Sequence, residues 1–196
     1  MNANIEKNFD FQAAVHFDNS FFINFYHFTL SLDVITDSTW EQNIALQRIK
    51  YLVSEGFENV LFIQDTEIEM IQKYQNVGLR LCVTPDEPFD QIISLLLLLK
   101  FNAVCENRLF TPNIVLTSRL GDGVKFVENI ETAKHIFNGS AWYNDNTPNI
   151  LLTNSKNESP DKIVKIKNNE WRSLGLAWSE KKTKTNPIVL KLDTEK

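Results

Sequence analysis

The stretch 84–108, TPDEPFDQIISLLLLLKFNAVCENR, constrains the fold more than any other part of the chain. Phe89, Ile92, Ile93, Leu96, Leu99 and Ala103 recur at helical spacing, and Leu95, Leu97 and Leu98 add a second apolar face. A helix that is apolar on nearly all sides must be covered on nearly all sides. The start reads as Thr84 capping, Pro85 at the first helical position and Glu87 closing a capping box.

The elements that cover it can be read in order. Phe9, Phe11, Ala13, Val15 and Phe17 alternate with Asp10, Gln12, Ala14, His16 and Asp18, the pattern of a half-buried strand. Asp18-Asn19-Ser20 turns the chain into a long strand over 21–35. Phe21, Phe22, Ile23, Phe25 and Tyr26 predict cover on both faces at its start. Ser38 and Glu41 form a capping box for a helix over 40–55, which Gly56 would end. The apolar run 60–63 is a buried strand. Thr66 and Glu69 open a short helix, and 79–83 is another strand. Beyond the central helix, strands over 113–117 and 124–127 join through Leu120-Gly121-Asp122-Gly123. A weaker helix over 130–137 and a packed piece at Ala141-Trp142-Tyr143 complete the series.

With the first strand and the short helix set aside, this order is βαββαβ. It predicts an α+β, ferredoxin-like split βαβ sandwich, with an extra N-terminal strand and an extended C-terminal arm. The 196 residues suffice for one domain with a full core. We divide them into an α/β globular body, 1–150, and a basic C-terminal tail or arm, 151–196. The body through residue 155 holds 10 Lys and Arg against 19 Asp and Glu, whereas 156–196 holds 10 against 6. An acidic body repels phosphate backbones, so nucleic-acid contact would fall to the tail.

The longest uncharged apolar run, 92–99, is far short of the roughly 20 residues a membrane span needs. With no secretory signal at the N-terminus, the expectation is a cytoplasmic protein with no membrane partner. Cys82 and Cys105 lack metal-ligand spacing and read as reduced and buried. His16 is expected to face about Phe22 or Ile23, which leaves His27 about 13–17 Å away at roughly 3.3 Å per residue, too far for a joint site. His135 reads as a surface residue. Two carboxylate groups, Asp65, Glu67, Glu69 and Asp86, Glu87, Asp90, open helices, where the macrodipole favours negative charge. A shared divalent-metal site is their alternative role. Phe21, Phe25 and Tyr26 read as core, with base stacking as the alternative, and no RNP1 pattern is present. No nucleophile elbow, Walker loop or dinucleotide fingerprint occurs either. The sequence therefore assigns no catalytic, cofactor-binding or metal-binding residue.

Ile23-Asn24-Phe25-Tyr26, Glu41-Gln42-Asn43-Ile44-Ala45-Leu46, the stretch 85–92 and Leu120-Gly121-Asp122-Gly123-Val124 together resemble an uncharacterised family of small proteins of large tailed bacteriophages, over roughly residues 20–145. The resemblance implies a phage protein acting in host cytoplasm or joining a virion, and implies no activity. The leading functional expectation is a non-enzymatic interaction protein whose arm docks on a protein partner or a second copy. Its candidate contacts are Trp171, Arg172, Leu174, Leu176, Trp178, Ile188, Val189 and Leu190. Single-stranded nucleic-acid (RNA) binding through the sheet or the basic tail is the alternative, and a metal-dependent enzyme the third reading.

Overall fold

The computed structural model describes residues 4–150 and 170–178. Strands β1 (Asn4–Phe17) and β2 (Ser20–Val34) form a long hairpin. Asp18 and Asn19 both take positive φ, 48° and 58°, the two-residue turn that matches strand twist. Helix α1 (Thr39–Tyr51) follows, extended by a π-helical turn (Leu52–Phe57). Then come β3 (Leu61–Gln64), α2 (Ile68–Asn76), β4 (Leu81–Thr84), α3 (Asp90–Cys105), β5 (Leu109–Ser118), β6 (Lys125–Asn129), α4 (Ile130–Ile136) and a 3-10 turn (Trp142–Asn144).

The architecture is α+β, a mixed six-stranded sheet in the order β4-β3-β1-β2-β5-β6. Pairs β1–β2, β2–β5 and β5–β6 are antiparallel, while β1–β3 and β3–β4 are parallel. The strand set aside in the sequence, β1, lies inside the sheet between β2 and β3. Its place there follows from its apolar alternation: Phe9 and Phe11 stack on Phe28 and Tyr26 across the hairpin, with centroids 5.4 and 4.8 Å apart. This strand order corrects the ferredoxin-like expectation. A split βαβ unit needs two parallel strands flanking a third, yet β2 and β3, flanking β1, run in opposite directions.

Helix α3 is covered on most sides, as its composition demands: Ile93 through Phe101, Val104 and Cys105 are all buried. Its N-terminus differs from the expectation. It begins at Asp90, with Phe89 at the cap position. Thr84 instead ends β4, and its hydroxyl lies 3.2 Å from the Ile63 carbonyl and 2.7 Å from the Asp86 carbonyl. The Ser38 cap of α1 forms as expected, accepting from the Glu41 N–H at 3.3 Å. The α2 box does not, since Glu67 takes the cap position with no side-chain bond.

The main core joins α1, α3 and α4 to one face of the sheet. Helix α2 packs on the opposite face, where Ile71, Met70 and Tyr74 meet Leu61, Ile63, Leu81, Val83 and Ala14. That second layer stops short of β2. Phe21, Ile23 and Phe25, on that face, are therefore 60%, 56% and 46% exposed, and Phe22, near the turn on the other face, is 44% exposed, which corrects the expectation that the start of β2 is covered on both faces. Tyr26, in the same run, is buried.

Candidate functional site

The parallel strands β1, β3 and β4 end along one edge of the sheet, with Gln64 paired to Thr84 at the last rung. From there the chain divides. After β3 it climbs to α2 on one face, and after β4 it enters α3 on the other. Adjacent parallel strands whose following helices go to opposite faces leave a crevice at their carboxyl ends, the usual place for a ligand in an open sheet.

Local bonds hold that crevice open. The Asp65 N–H donates to the Thr84 carbonyl at 2.9 Å, tying the two loops together below the opening. The Glu87 N–H donates to the Asp86 carboxylate at 2.8 Å. Phe17 and Phe89, half-exposed at the rim, have centroids 5.1 Å apart.

His16 sits at the end of β1, on the face of Ala14, and is 3% exposed. Its ring meets Tyr74 of α2 edge-on at 5.8 Å. Its Nε2 is fully buried and has no hydrogen-bond partner. The residue lines a notch of about 20 Å³ together with Phe17, Asp18, Gln64, Glu67, Glu87 and Pro88. A cavity of that size holds about one water, or one polar atom of a ligand. Three carboxylates and no Lys or Arg line it, so its field favours a hydrogen-bond donor or a positive charge. Of the four buried unpartnered side-chain atoms among the described residues, Tyr26 Oη, Thr111 Oγ1, Trp178 Nε1 and His16 Nε2, the last belongs to the side chain best suited to moving a proton at neutral pH.

The expected carboxylate groups are only partly brought together. Glu67 and Glu87 share the notch, whereas Asp65, Glu69 and Asp86 do not line it. Asp90 turns away: its carboxylate accepts from the Ser118 hydroxyl at 2.6 Å and lies 3.4 Å from Asn24 Nδ2. Burial pushes Asp90 above the usual carboxylate range, and the Ser118 bond partly opposes that. No group of three His, Cys, Asp or Glu among the described residues is placed to hold a metal ion. His16 lies opposite Phe21, closer to the turn than expected, and His27 lies opposite Asp10, 2.6 Å from its carboxylate, so the two histidines remain apart. His135 is exposed on α4. Both cysteines are free and buried, and burial pushes the Cys105 thiol up to about 12.

A wider, open concavity of about 1180 Å³ lies between the C-terminal ends of α3 and α4. Its polar groups are largely engaged with the chain itself. Asn144 donates to the Phe137 and Gly139 carbonyls, and Arg108 donates to the Glu106 carbonyl at 2.7 Å. The strand-end crevice, with a buried side chain left unpaired, is the stronger candidate.

The candidate arm residues have other partners. Trp171 is buried, and Leu174, Leu176 and Trp178 pack against the main core. The Arg48 guanidinium, 2% exposed, lies 4.7 Å from the Trp171 ring and 3.7 Å from the Trp178 ring. It donates to the Leu176 carbonyl at 2.9 Å and to Glu106 at 2.8 Å. Arg172 is exposed. Ile188, Val189 and Leu190 lie outside the described residues.

No protein-family model matches the chain, and no curated protein matches it. Among solved structures, it is similar to an uncharacterized protein from Wolinella succinogenes, at 11% identity, over 66% of this chain and 98% of the other, with a TM-score of 0.46. It is also similar to 6-pyruvoyltetrahydropterin synthase of Plasmodium vivax in two catalytic-residue mutants, each at 12% identity, over 66% and 99% of the two chains, with a TM-score of 0.44. The expectation of a non-enzymatic interaction protein with a docking arm is corrected by the packing of the arm itself: its described part, 170–178, closes the core of its own body. No helix among the described residues is long and apolar enough to cross a membrane.

Proposed function

We propose that the strand-end crevice is an acid–base site for a small polar molecule bearing a hydrogen-bond donor or a positive charge. His16 is its proton-carrying residue, and Glu67, Glu87 and Asp18 hold the donor edge of the ligand. One observation carries this reading: a buried imidazole nitrogen with no partner, lining a one-atom notch where the parallel strands end. A buried polar atom left unpaired costs about 1–3 kcal/mol, and such costs persist where a ligand supplies the missing bond. The carboxylates give the site its sign, since an anionic ligand would meet like charge on three sides. The bacteriophage resemblance makes host cytoplasm or a virion the proposed setting.

The test is a panel of small amines, neutral amides and carboxylates, read by thermal shift and by the His16 ring resonances. Amines or amides should raise the melting temperature and move the His16 signals, and His16→Asn should abolish both effects. A panel in which only carboxylates bind, or in which binding survives in His16→Asn, would overturn the assignment.

A further inference from the structure

Lys100 lies in the apolar middle of α3 and is completely buried. Its Nζ lies 2.8 Å from the carbonyl oxygens of Trp142, Asp145 and Thr147, and 3.3 Å from that of Asn149. Four oxygens around a group with three protons is more than single hydrogen bonds account for. The arrangement is that of an ion in a ring of backbone carbonyls, whose oxygens replace its hydration shell. The loop is also braced independently of the lysine. The Asp145 carboxylate accepts from the Thr147 N–H and hydroxyl, both at 3.0 Å, and so curls the segment on itself. Asn144 anchors the segment's start on the Phe137 and Gly139 carbonyls.

We propose that residues 142–149 form a built site for a monovalent cation, which the chain fills with its own Lys100 ammonium. Four neutral carbonyls suit a singly charged cation of modest field, whereas Ca²⁺ and Mg²⁺ take more oxygens, with carboxylates or waters among them. The cation holds a wall of the molecule in place. Trp142 Nε1 donates to the Val83 carbonyl at 2.7 Å, one residue before the end of β4, and Trp171 Nε1 donates to the Asn146 carbonyl. Lys100 is thus a positioning residue for the segment beside the strand-end crevice, and its ammonium also locks 170–178 to the body. The second role does not depend on the function proposed for His16.

The experiment removes the tethered cation and supplies a free one. Lys100→Ala is melted in ammonium, potassium, lithium and choline chlorides at one ionic strength. Ammonium or potassium at 100 mM should raise its melting temperature by about 3–6 °C over choline, the size for a site about tenfold over its Kd. The unaltered chain should show no such preference. Equal melting in all four salts, or the same preference in the unaltered chain, would overturn the proposal. Should Lys100→Ala not fold, the unaltered chain decides. A slowly exchanging Lys100 ammonium signal by ¹⁵N NMR is expected, and rapid exchange with water contradicts the cage. Cation rescue of melting tests this loop, and ligand response at His16 tests the crevice, so failure of one is distinct from failure of the other.

Discussion

Lys100 and His16 are both buried polar side chains on elements that face apolar layers, and they are satisfied to opposite degrees. Lys100 meets four carbonyl oxygens, whereas the buried Nε2 of His16 has no hydrogen-bond partner among the described residues. The first is what a structural polar group looks like, with every donor spent inside the fold. The second leaves its cost unrecovered, beside a notch at the edge where parallel strands end. Fully paired burial marks a brace, and unpaired burial at a crevice marks a site held ready for something else.

Breaking the brace should have the largest effect. Lys100→Met leaves four carbonyls without a donor, and a loss of about 3–5 kcal/mol in denaturant unfolding is expected. The same pair of proteins carries a pH signature. Burial lowers Lys100 to about 8, against 10.5 for an ordinary lysine, with Asp145 and Cys82 pulling it back upward. Between those values the unfolded chain binds more protons, so the Lys100 contribution to stability rises with pH across that window and is flat below it. The stability gap between the unaltered chain and Lys100→Met should therefore widen from about pH 8 towards 10.5. A gap that narrows would show that the four carbonyls outweigh burial and hold the ammonium in preference to the neutral amine.

A smaller effect is expected at the other buried cation. Arg48 is held between two indole faces and bonds Leu176, Val104 and Glu106 at once. Lysine supplies neither the plane nor the fork, so Arg48→Lys should cost about 1–3 kcal/mol. It should also expose Trp171 and Trp178, read as a red shift and easier quenching of tryptophan emission. Unchanged emission would show that 170–178 is held by something other than Arg48.

Much of the fold was legible because it rests on local periodicity. The 84–108 stretch announced a buried helix, and Asp18-Asn19-Ser20 and Leu120-Gly121-Asp122-Gly123 marked the hairpins. Sheet order was not legible, because alternation says which face of β1 is apolar and nothing of which strands flank it. The aromatics of β2 misled for a related reason. Their pattern asks for two covering layers, but the second layer is only the nine-residue α2, which reaches β3, β4 and the Ala14–His16 end of β1 and stops short of β2. The brace left one trace in the sequence, a lysine amid leucines at Lys100. His16 left less. Its spacing bears only on His27, and its place beneath Tyr74 arises from the crossover after β3, which no spacing along β1 encodes. Trp171 and Trp178 were recognised as anchors, but the partner is Arg48 of their own body.

The most direct test of the contrast is denaturant unfolding of His16→Leu beside the unaltered chain. If His16 is kept for chemistry, a leucine of similar volume removes an unpaired polar atom and loses no hydrogen bond. Stability should then be unchanged or higher, within about 1 kcal/mol of the unaltered chain or above it. A loss of about 2 kcal/mol or more would mean that His16 is braced like Lys100, and the crevice would lose its claim to be the site.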